Sequence, residues 1–296
     1  MQNESREIQG RRILITGGTA GIGRAAALEL AKRQASVLIV GRNEKRGLKA
    51  VEQMRRSAPD QEFDFLKFDL LTMSGTRRLA EAVKERFNIL DVLINNAGGF
   101  FLTRQLTSEG HERTFALNHL SPFLLTHLLL ENLDRSEDPR IITTSSGSHR
   151  RGEIHFDNLQ LSDGYSGLKA YSQSKLANVL FTYELDRRLS DRFAANSFHP
   201  GFVATNIGLV HPLITPLMKL YYIFRGRSPE EGAATALHLA AHPEGAQISG
   251  RYWFDEEPVE TSPNSYDRDT WRRLWEVSEK LVVLEPALRI PAPDSD

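Results

Sequence analysis

The chain alternates short apolar runs with longer segments in which apolar positions recur every three or four residues. Runs rich in Val, Ile and Leu are typical of strands buried on both faces of a sheet, whereas the longer recurrence indicates helices. The predicted strands are Arg12–Thr16, Ser36–Val40, Phe63–Phe68, Leu90–Asn95, Arg140–Thr144 and Ala194–Phe198. The predicted helices cover residues 22–34, 43–57, 74–87, 118–133, 169–190 and 229–242. This alternation predicts an α/β fold, a doubly wound parallel sheet with helices on both faces.

The predicted elements belong to one domain. No charged block and no Pro/Gly-rich linker separates two halves, so we place a single domain at residues 10–284. Residues 1–9 are predicted to form a flexible N-terminus, and the Pro-rich residues 285–296 a loose C-terminal tail.

Composition narrows the class of protein. The 296-residue chain has a formal net charge of -1 at pH 7, which gives no indication of a nucleic-acid partner. It contains no cysteine, which excludes disulfides, thiolate catalysis and cysteine-ligated zinc. Residues 1–6 lack the apolar core of a secretory signal, and no run of 18 apolar residues occurs. We therefore expect a cytoplasmic protein without a membrane span, and leave peripheral membrane contact open.

A glycine-rich segment joins the first predicted strand to the first predicted helix. Glycines at such a junction permit a tight turn and the close approach of a pyrophosphate, which the N–H groups of the following helix can bind. The context predicts a Rossmann-type dinucleotide site; the alternative is an ordinary glycine turn. The segment is Thr16-Gly17-Gly18-Thr19-Ala20-Gly21-Ile22-Gly23-Arg24. The predicted cofactor contacts within it are Gly17, Thr19, Gly21, Ile22, Gly23 and Arg24.

The end of the second predicted strand bears on the choice of cofactor. NAD sites usually carry an acidic residue about 20 residues after the glycines, where it binds the ribose. The segment Val40-Gly41-Arg42-Asn43 has no such acid, and Arg42, helped by Arg24, can pair with a 2′-phosphate. We therefore predict NADP(H) as the cofactor. The alternatives are NAD, and an ordinary surface arginine at position 42.

The segments that follow the third and fourth predicted strands are also candidates. Because ligands of such sheets bind beyond the carboxyl ends of the strands, we expect these positions to face the cofactor. They are Asp69, Leu70, Asn96, Ala97 and Gly98. Asn95 and Asn96 can alternatively serve as turn residues that bond to the local backbone.

A tyrosine and a lysine near the middle of the chain have the spacing of a cooperating pair. Tyr171 and Lys175 are four residues apart in a segment with a helical apolar stripe, so they lie on one face of the helix. A nearby ammonium stabilises a phenolate, which makes a phenol a competent general acid or base near neutral pH. Tyr165 and Lys169 have the same spacing, but glycines flank them, and we interpret that pair as part of a solvated turn.

Taken in order, these segments resemble the short-chain dehydrogenase/reductase family. The resemblance covers residues 10–284 and rests on an ordered set of motifs rather than on any one of them. The set comprises the glycine segment, Asp69, Asn95-Asn96-Ala97-Gly98, Asn118, a serine after the fifth strand, Tyr171-x-x-x-Lys175 and Pro200-Gly201. Residues 140–152, 154–159, 174–178 and 272–278 are similar to the retinol-dehydrogenase-like branch of that family.

The resemblance implies a role for each matched residue. Tyr171 would exchange a proton with the substrate oxygen, while Lys175 would hold the nicotinamide ribose and activate the tyrosine. Ser146 would hydrogen-bond the reacting oxygen, with Ser145 as the lesser candidate. Asn118 would anchor a water that links the lysine to solvent, although an asparagine here can alternatively cap a helix.

The same resemblance implies further contacts. Pro200, Gly201, Val203 and Thr205 would bind the cofactor. Residues 202–227, rich in apolar side chains, would cover a lipophilic substrate, although such a segment can instead pack on the body, on another subunit or on a membrane surface. His149 matches a pattern of the branch, but a structural role is the preferred interpretation.

These inferences predict an NADP-dependent oxidoreductase that interconverts a carbonyl (an aldehyde or ketone) and an alcohol by hydride transfer. The alternative is a non-catalytic NADP(H)-binding sensor or scaffold. No metal site is predicted. The expected partners are a small-molecule substrate and, by resemblance, further copies of the chain in a homodimer or homotetramer formed through the helices predicted at 118–133 and 169–190.

Overall fold

The strands of the computed structural model form one eight-stranded sheet. The model describes residues 8–203 and 226–293, so Thr205 and most of the predicted 202–227 segment lie outside the described residues. The strands are β1 Arg12–Thr16, β2 Ser36–Gly41, β3 Phe63–Lys67, β4 Val92–Asn95, β5 Arg140–Thr144, β6 Ala194–His199, β7 Tyr252–Phe254 and β8 Glu257–Pro258. The six predicted strands are confirmed within two residues at each end.

The order of the strands decides where a ligand can bind. The order is β3-β2-β1-β4-β5-β6-β7-β8, with β1 to β7 parallel and β8 antiparallel to β7. The chain runs outward from β1 to β3 and then returns to place β4 on the other side of β1. This reversal opens a crevice beyond the carboxyl ends of β1 and β4, where doubly wound sheets bind their ligands. The predicted fold class is therefore confirmed.

Helices cover both faces of the sheet. The longer ones are α1 Gly21–Lys32, α2 Glu44–Ser57, α3 Met73–Lys84, α4 Ser121–Asp134, α5 Gly167–Arg188, α6 Pro229–Ala241 and α7 Arg268–Leu281. Shorter helical segments are Arg113–Phe115, the π-helical Ala116–Leu120, Gly147–Arg151, Phe156–Asn158, Glu244–Gln247, Pro263–Tyr266 and Pro286–Leu288. The six predicted helices correspond to α1 through α6, within three residues at each end.

Successive residues of each inner strand supply different layers of the core. Leu14 of β1 packs in an apolar cluster with residues of α3, α4 and α5, whereas Ile13 and Ile15 pack in a second cluster with α1, α2 and α6. Alternating side chains of a strand point to opposite faces. Because both faces are covered, neither set of positions is polar, which explains why the strands are continuous apolar runs.

The carboxyl-terminal part of the chain contains elements that the hydrophobic pattern did not predict. Strands β7 and β8 have three and two residues, and α7 is largely polar with Leu274, Trp275 and Ser278 buried. Ile290, in the predicted tail, is buried, and its carbonyl accepts a hydrogen bond from Arg188 at 2.8 Å. The domain boundary at residue 284 stays a prediction.

Helix α7 packs on α4 and α5 through Trp275. Its indole ring lies 5.1 Å from the ring of Phe123 on α4 and 5.8 Å from that of Phe181 on α5, centre to centre. The guanidinium of Arg188 lies 4.5 Å from the indole centre. These are the two helices through which the resemblance predicts self-association, and the oligomeric state stays a prediction. No helix within residues 8–203 and 226–293 combines the length and apolarity needed to cross a membrane.

The packing of α7 gives a stability prediction. Replacing Trp275 by Ala should lower the free energy of unfolding by about 3–5 kcal/mol, because the change removes a large buried side chain and leaves a cavity between three helices. Chemical denaturation measures this change. The control Glu276→Ala lies on the exposed side of the same helix and should stay within about 0.5 kcal/mol of the wild type. Equal effects of the two changes would show that α7 does not stabilise the domain.

Candidate active site

The glycine segment forms a tight turn over the carboxyl ends of β1 and β2. Gly17 and Gly21 have φ angles of 70° and 53°, in the left-handed region that favours glycine. The N–H of Gly18 donates to the carbonyl of Val40 at 3.1 Å. A Cβ on Gly41 would lie 2.6 Å from Cγ2 of Thr19, so the absence of a side chain at Gly41 allows the turn to pack closely against the end of β2.

The first turn of α1 is suited to an anion. Its N-cap residue, Ala20, offers no side-chain acceptor, and the turn contains no acidic residue. The N–H groups at the start of the helix are therefore left for another acceptor. A Cβ on Gly23 would come within 2.4 Å of Nδ2 of Asn96, so only glycine keeps this turn close to β4. These features fit the pyrophosphate of a dinucleotide.

Hydrogen bonds tie the end of β4 to the end of β1. The Oγ1 atom of Thr16 accepts the N–H groups of Asn96 and Ala97, each at 2.9 Å, and Asn96 Nδ2 donates to the Thr16 carbonyl at 2.9 Å. Asn95 donates to Thr126 of α4 at 3.2 Å. The alternative of local turn bonds is therefore wrong for both asparagines, because their side chains bridge different elements. The bridge holds the two walls of the crevice together.

Four further predicted cofactor contacts lie on α1 and after β2 and β3. Arg42 is exposed immediately after β2. Arg24 is half-buried, and its Nη2 donates to Oε1 of Gln53 on α2 at 2.6 Å. Asp69 is exposed, and one of its carboxylate oxygens accepts the backbone N–H two residues further on at 3.1 Å. The side chain of Leu70 is buried.

Helix α5 carries the tyrosine and the lysine on one face. The ammonium nitrogen of Lys175 lies 5.6 Å from the centre of the Tyr171 ring. Lys175 is only 4 % exposed, and its Nζ donates to the carbonyl of Thr144, at the end of β5, at 2.9 Å. Burial lowers the pKa of Lys175 to about 8. An ammonium has three donors, so two further hydrogens are available to acceptors in the crevice.

Asn118 links the loop after β4 to α5. Its Oδ1 accepts the N–H of Gly99 at 2.8 Å, and its Nδ2 donates to the Gly99 carbonyl at 3.0 Å and to Ser174 Oγ at 2.9 Å. The Ser174 hydroxyl donates in turn to the carbonyl of Tyr171 at 2.8 Å. Asn118 lies inside the π-helical segment, not ahead of a helix, so the capping alternative is wrong. A widened turn of this kind often marks a functional position.

Gly98 follows Ala97 in the same loop and leaves room for the two polar groups. A Cβ there would lie 3.3 Å from Asn118 Oδ1 and 3.7 Å from Lys175 Nζ. The loop after β4 therefore passes beside both side chains. The water that the resemblance assigns to Asn118 stays a prediction.

The two serines after β5 have different environments. The hydroxyl of Ser145 is buried and donates to the carbonyl of Lys175 at 2.8 Å. Ser146 is half-buried, and its Oγ accepts the N–H of Ser148 at 3.2 Å. An accepted bond leaves the hydroxyl hydrogen of Ser146 available to a substrate oxygen. These contacts favour Ser146 over Ser145 as the substrate-binding serine.

Two histidines lie behind the serine loop, His149 buried and His199 half-buried. His149 Nδ1 lies 2.8 Å from the carbonyl of Ser146, which requires a proton on that nitrogen. His199 Nδ1 accepts the N–H of Gly201 at 3.2 Å, and its Nε2 lies 3.3 Å from where a Cβ on Gly147 would stand. Burial, and then the neighbouring His149, lower the pKa of His199 to about 4. Both support the loop as neutral rings, and sequence patterns gave no indication of His199.

The segment after β6 turns sharply beside the crevice. Pro200 and Gly201 are half-buried, and Gly201 has a φ of 78°. A Cβ on Gly201 would lie 2.6 Å from Cδ of Arg227. The backbone N–H of Arg227 donates to the Phe202 carbonyl at 2.8 Å. Val203 is buried. Arg227 therefore fixes this turn, although the sequence alone did not indicate it.

Apolar side chains surround the approach to Tyr171. The ring of Phe100 lies edge-on at 5.5 Å from the Tyr171 ring, centre to centre. A Cβ on Gly167 would lie 2.7 Å from the carbonyl oxygen of Phe101, so the loop that carries Phe100 lies against the start of α5. Leu102 and Leu168 are exposed at this rim.

The second tyrosine of matching spacing has a structural contact. The hydroxyl of Tyr165 donates to the carbonyl of Phe101 at 2.7 Å, and the side chain is half-buried. Burial raises the pKa of Tyr165. The interpretation of this residue as part of a solvated turn is therefore wrong, but its hydroxyl holds the loop rather than facing Lys169, which lies in α5.

Comparisons with known proteins show similarity in sequence and in fold. A model of the short chain dehydrogenase family matches residues 11–209. Human retinol dehydrogenase 14 is similar to this chain, with 38% identity over 294 residues, which covers 94% of this chain and 88% of the relative.

Solved structures are similar over the same fold. A protein from Mycobacterium paratuberculosis is 32% identical, with a TM-score of 0.76, over 97% of this chain and 98% of that one. A short chain dehydrogenase from Burkholderia cenocepacia, solved in complex with NADP, is 26% identical, with a TM-score of 0.67, over 83% of this chain and 96% of that one.

The buried ammonium predicts a pH-dependent stability difference. Lys175 has a pKa of about 8 in the folded protein and about 10.4 in the unfolded chain. Below about pH 8 it carries its proton in both states, so the folded protein is destabilised by the full free energy of burying the charged ammonium. Between these values the unfolded chain binds more protons, so the wild type gains stability as pH rises. The unfolding free energy of the wild type relative to Lys175→Met should therefore rise by about 2 kcal/mol from about pH 7 to about pH 9.5.

Denaturant titrations of both proteins over this pH range measure the difference. Groups that titrate identically in the two proteins do not contribute to this difference in unfolding free energy. Lys45→Met, at an exposed position on α2, is the control for removal of a lysine as such. A flat difference for Lys175→Met across the range would show that the ammonium is not held in a desolvated position.

Proposed function

Since the chain belongs to the short-chain dehydrogenase family, in its retinol-dehydrogenase-like branch, we propose that this oxidoreductase uses NADP(H) to interconvert a lipophilic aldehyde or ketone and its alcohol. One observation carries the proposal. Tyr171 and the buried ammonium of Lys175 share one face of α5, beside the loops that follow β4 and β5. Such a pair can donate and accept a proton at the oxygen of a substrate bound in the crevice.

In the proposed reaction, the glycine turn, Arg42 and Lys175 would hold NADPH, which would supply a hydride for the carbonyl carbon. Tyr171 donates its proton to the carbonyl oxygen, and Ser146 donates a hydrogen bond to the same oxygen as negative charge develops there. The Lys175 ammonium stabilises the phenolate left on Tyr171 and offers its remaining hydrogens to the ribose. The Asn118 contacts hold the backbone of Tyr171 in place through Ser174. Oxidation of an alcohol uses the same groups in reverse.

The preference for NADP(H) rests on charge at the end of β2. Arg42 is exposed where the ribose of a dinucleotide is expected, and the segment Val40–Asn43 contains no acid to bind a free 2′-hydroxyl. Guanidinium groups suit phosphate oxygens in charge and in geometry. The structural relative from Burkholderia cenocepacia, solved with NADP, supports the same choice.

The lipophilic substrate is proposed from the apolar approach to Tyr171. Phe100 contacts the tyrosine ring, and Leu102 and Leu168 are exposed beside it. Sites for small molecules are mostly apolar with a few placed polar groups, and the relative retinol dehydrogenase 14 is named for a lipophilic alcohol. A cytoplasmic location and a homodimeric or homotetrameric assembly belong to the same proposal.

Replacing Tyr171 by Phe tests the proton-transfer role. The change removes one hydroxyl and keeps the ring, so NADPH affinity should stay within a few-fold of the wild type. Turnover should fall at least about 100-fold, because general acid catalysis at the carbonyl oxygen is lost. NADPH consumption is followed with aldehydes and ketones of increasing chain length, and cofactor binding by fluorescence.

The chain supplies a matched control at Tyr165. Tyr165→Phe removes a hydroxyl that bonds to the Phe101 carbonyl, so it should lower stability by about 1 kcal/mol and retain most of the turnover. Full turnover by Tyr171→Phe would contradict the assignment. A wild type that binds NADPH and consumes none of it with any carbonyl compound would instead be the sensor or scaffold.

Replacing Arg42 by Ala tests the choice of cofactor. Loss of a guanidinium–phosphate contact should weaken NADPH binding about tenfold or more and leave NADH binding unchanged. Titration of each cofactor against the variant measures both affinities. Arg46→Ala, another exposed arginine at the start of α2, should change neither affinity. Equal losses for NADPH and NADH would contradict recognition of the 2′-phosphate.

A further inference from the structure

A second cavity lies at the opposite end of α1 from the glycine turn. It has a volume of about 540 Å³ and is bounded by the last turns of α1 and by α6. Its lining includes Lys32 and Arg33 at the end of α1, His238 and His242 at the end of α6, and Glu256 in the turn after β7. None of these residues belongs to the proposed hydride-transfer site.

Two histidines and a glutamate converge beside this cavity. His238 and His242 are four residues apart at the end of α6, and Glu244 begins the short helix that follows. The Nε2 atom of His238 lies 3.1 Å from Oε2 of Glu244, and Nδ1 of His242 lies 3.7 Å from the same oxygen. One ligand atom from each residue lies within 4.8 Å of the others, which occurs in no other trio within the described residues.

These separations match the coordination geometry of zinc. In a tetrahedral site with bonds of about 2.0–2.1 Å, ligand atoms are about 3.3 Å apart. The two distances to Glu244 bracket this value. The two imidazole rings stack, with centres 4.5 Å apart and planes 20° apart, so one ring must rotate before both lone pairs point at the same ion. Two imidazoles and one carboxylate are also a ligand set that zinc accepts. Two histidines four residues apart at a helix end are a recurring source of two such ligands.

In the metal-free protein Nε2 of His238 donates to Oε2 of Glu244 at 3.1 Å, so a metal ion at this nitrogen requires the other tautomer of the ring, with the proton on Nδ1. Oε2 of Glu256 lies 3.7 Å from Nδ1 of His238, so a carboxylate faces the ring nitrogen that is turned away from Glu244. Metal-bound histidines usually direct their second nitrogen at a carboxylate, which fixes the tautomer. The N–H of Glu244 points at Nδ1 of His242 at 3.3 Å, so that nitrogen carries a lone pair.

Glu256 is held for this role by the backbone around it. It has a φ of 65°, in the left-handed region that a glutamate rarely occupies. Its N–H donates to Oγ1 of Thr235, one turn before His238 on α6, at 3.2 Å. The turn between β7 and β8 is thereby fixed against the helix that supplies both histidines.

We propose that His238, His242 and Glu244 bind a divalent transition metal ion, zinc by its ligand preference. Glu256 orients His238, and the fourth coordination position is open to water from the cavity. Binding replaces the hydrogen bond between His238 Nε2 and Glu244, with the ring proton transferred to Nδ1 beside Glu256, and it replaces the weak contact between the Glu244 N–H and His242 Nδ1. The bound ion joins α6 to the short helix after it and is independent of the hydride-transfer site.

Zinc binding to untagged protein tests the proposal, because a histidine tag would itself bind the metal. After treatment with a chelator and its removal, titration calorimetry with zinc chloride should give one ion per chain. His238→Gln, His242→Gln and Glu244→Gln should each weaken binding at least about tenfold. Cobalt(II) should bind with the visible absorption of a tetrahedral site in the wild type and lose it in these variants.

His155→Gln is the matched control. His155 also pairs with a glutamate, Glu153, at 4.0 Å, but it is not part of the trio, so this variant should bind zinc as the wild type does. Thermal unfolding without metal shows whether each variant is folded, and zinc should raise the melting temperature of the wild type and of His155→Gln only. Absence of stoichiometric binding, or equal affinity in all variants, would overturn the proposal.

Discussion

The buried ammonium of Lys175 is the constraint around which the centre of the molecule is arranged. A charge with 4 % exposure costs free energy unless polar groups surround it. The carbonyl of Thr144 accepts from it, and this contact fixes α5 against the end of β5. Gly98 leaves space on its other side. Strand, loop and helix are therefore placed with respect to one nitrogen atom.

The reversal of strand order supplies the place for this charge. Thr16, at the end of β1, binds the backbone and the side chain at the end of β4, so the glycine turn and the loop toward Gly98 share one rim. Asn118 then connects that rim to α5 through Gly99 and Ser174. A dinucleotide that spans from α1 to Lys175 would contact all of these elements, which explains why the ordered set of motifs extends over much of the chain.

Sequence reasoning recovered the elements whose signals are local. Six strands and six helices followed from apolar periodicity, and the helical stripe distinguished Tyr171 from Tyr165. Apolar periodicity did not predict the elements that depend on contacts in three dimensions. Strands β7 and β8 are too short to show a period, and α7 is largely polar apart from the face around Trp275. Asn118 looked like a possible cap because the sequence does not reveal the π-helical turn. No metal site was predicted from the sequence, because the approach of His238 and His242 to Glu244, on which the proposed site rests, depends on how two helices meet in three dimensions.

Strand β8 is a short edge strand that ends the sheet. It consists of Glu257 and Pro258 alone, turned back against β7. Proline has no N–H to offer a neighbouring strand, and a charged residue at an edge disfavours stacking with another chain. The outermost polar backbone of this side is thus a poor template for strand addition, so the long apolar sheet is shielded there against the edge-to-edge aggregation to which such sheets are prone.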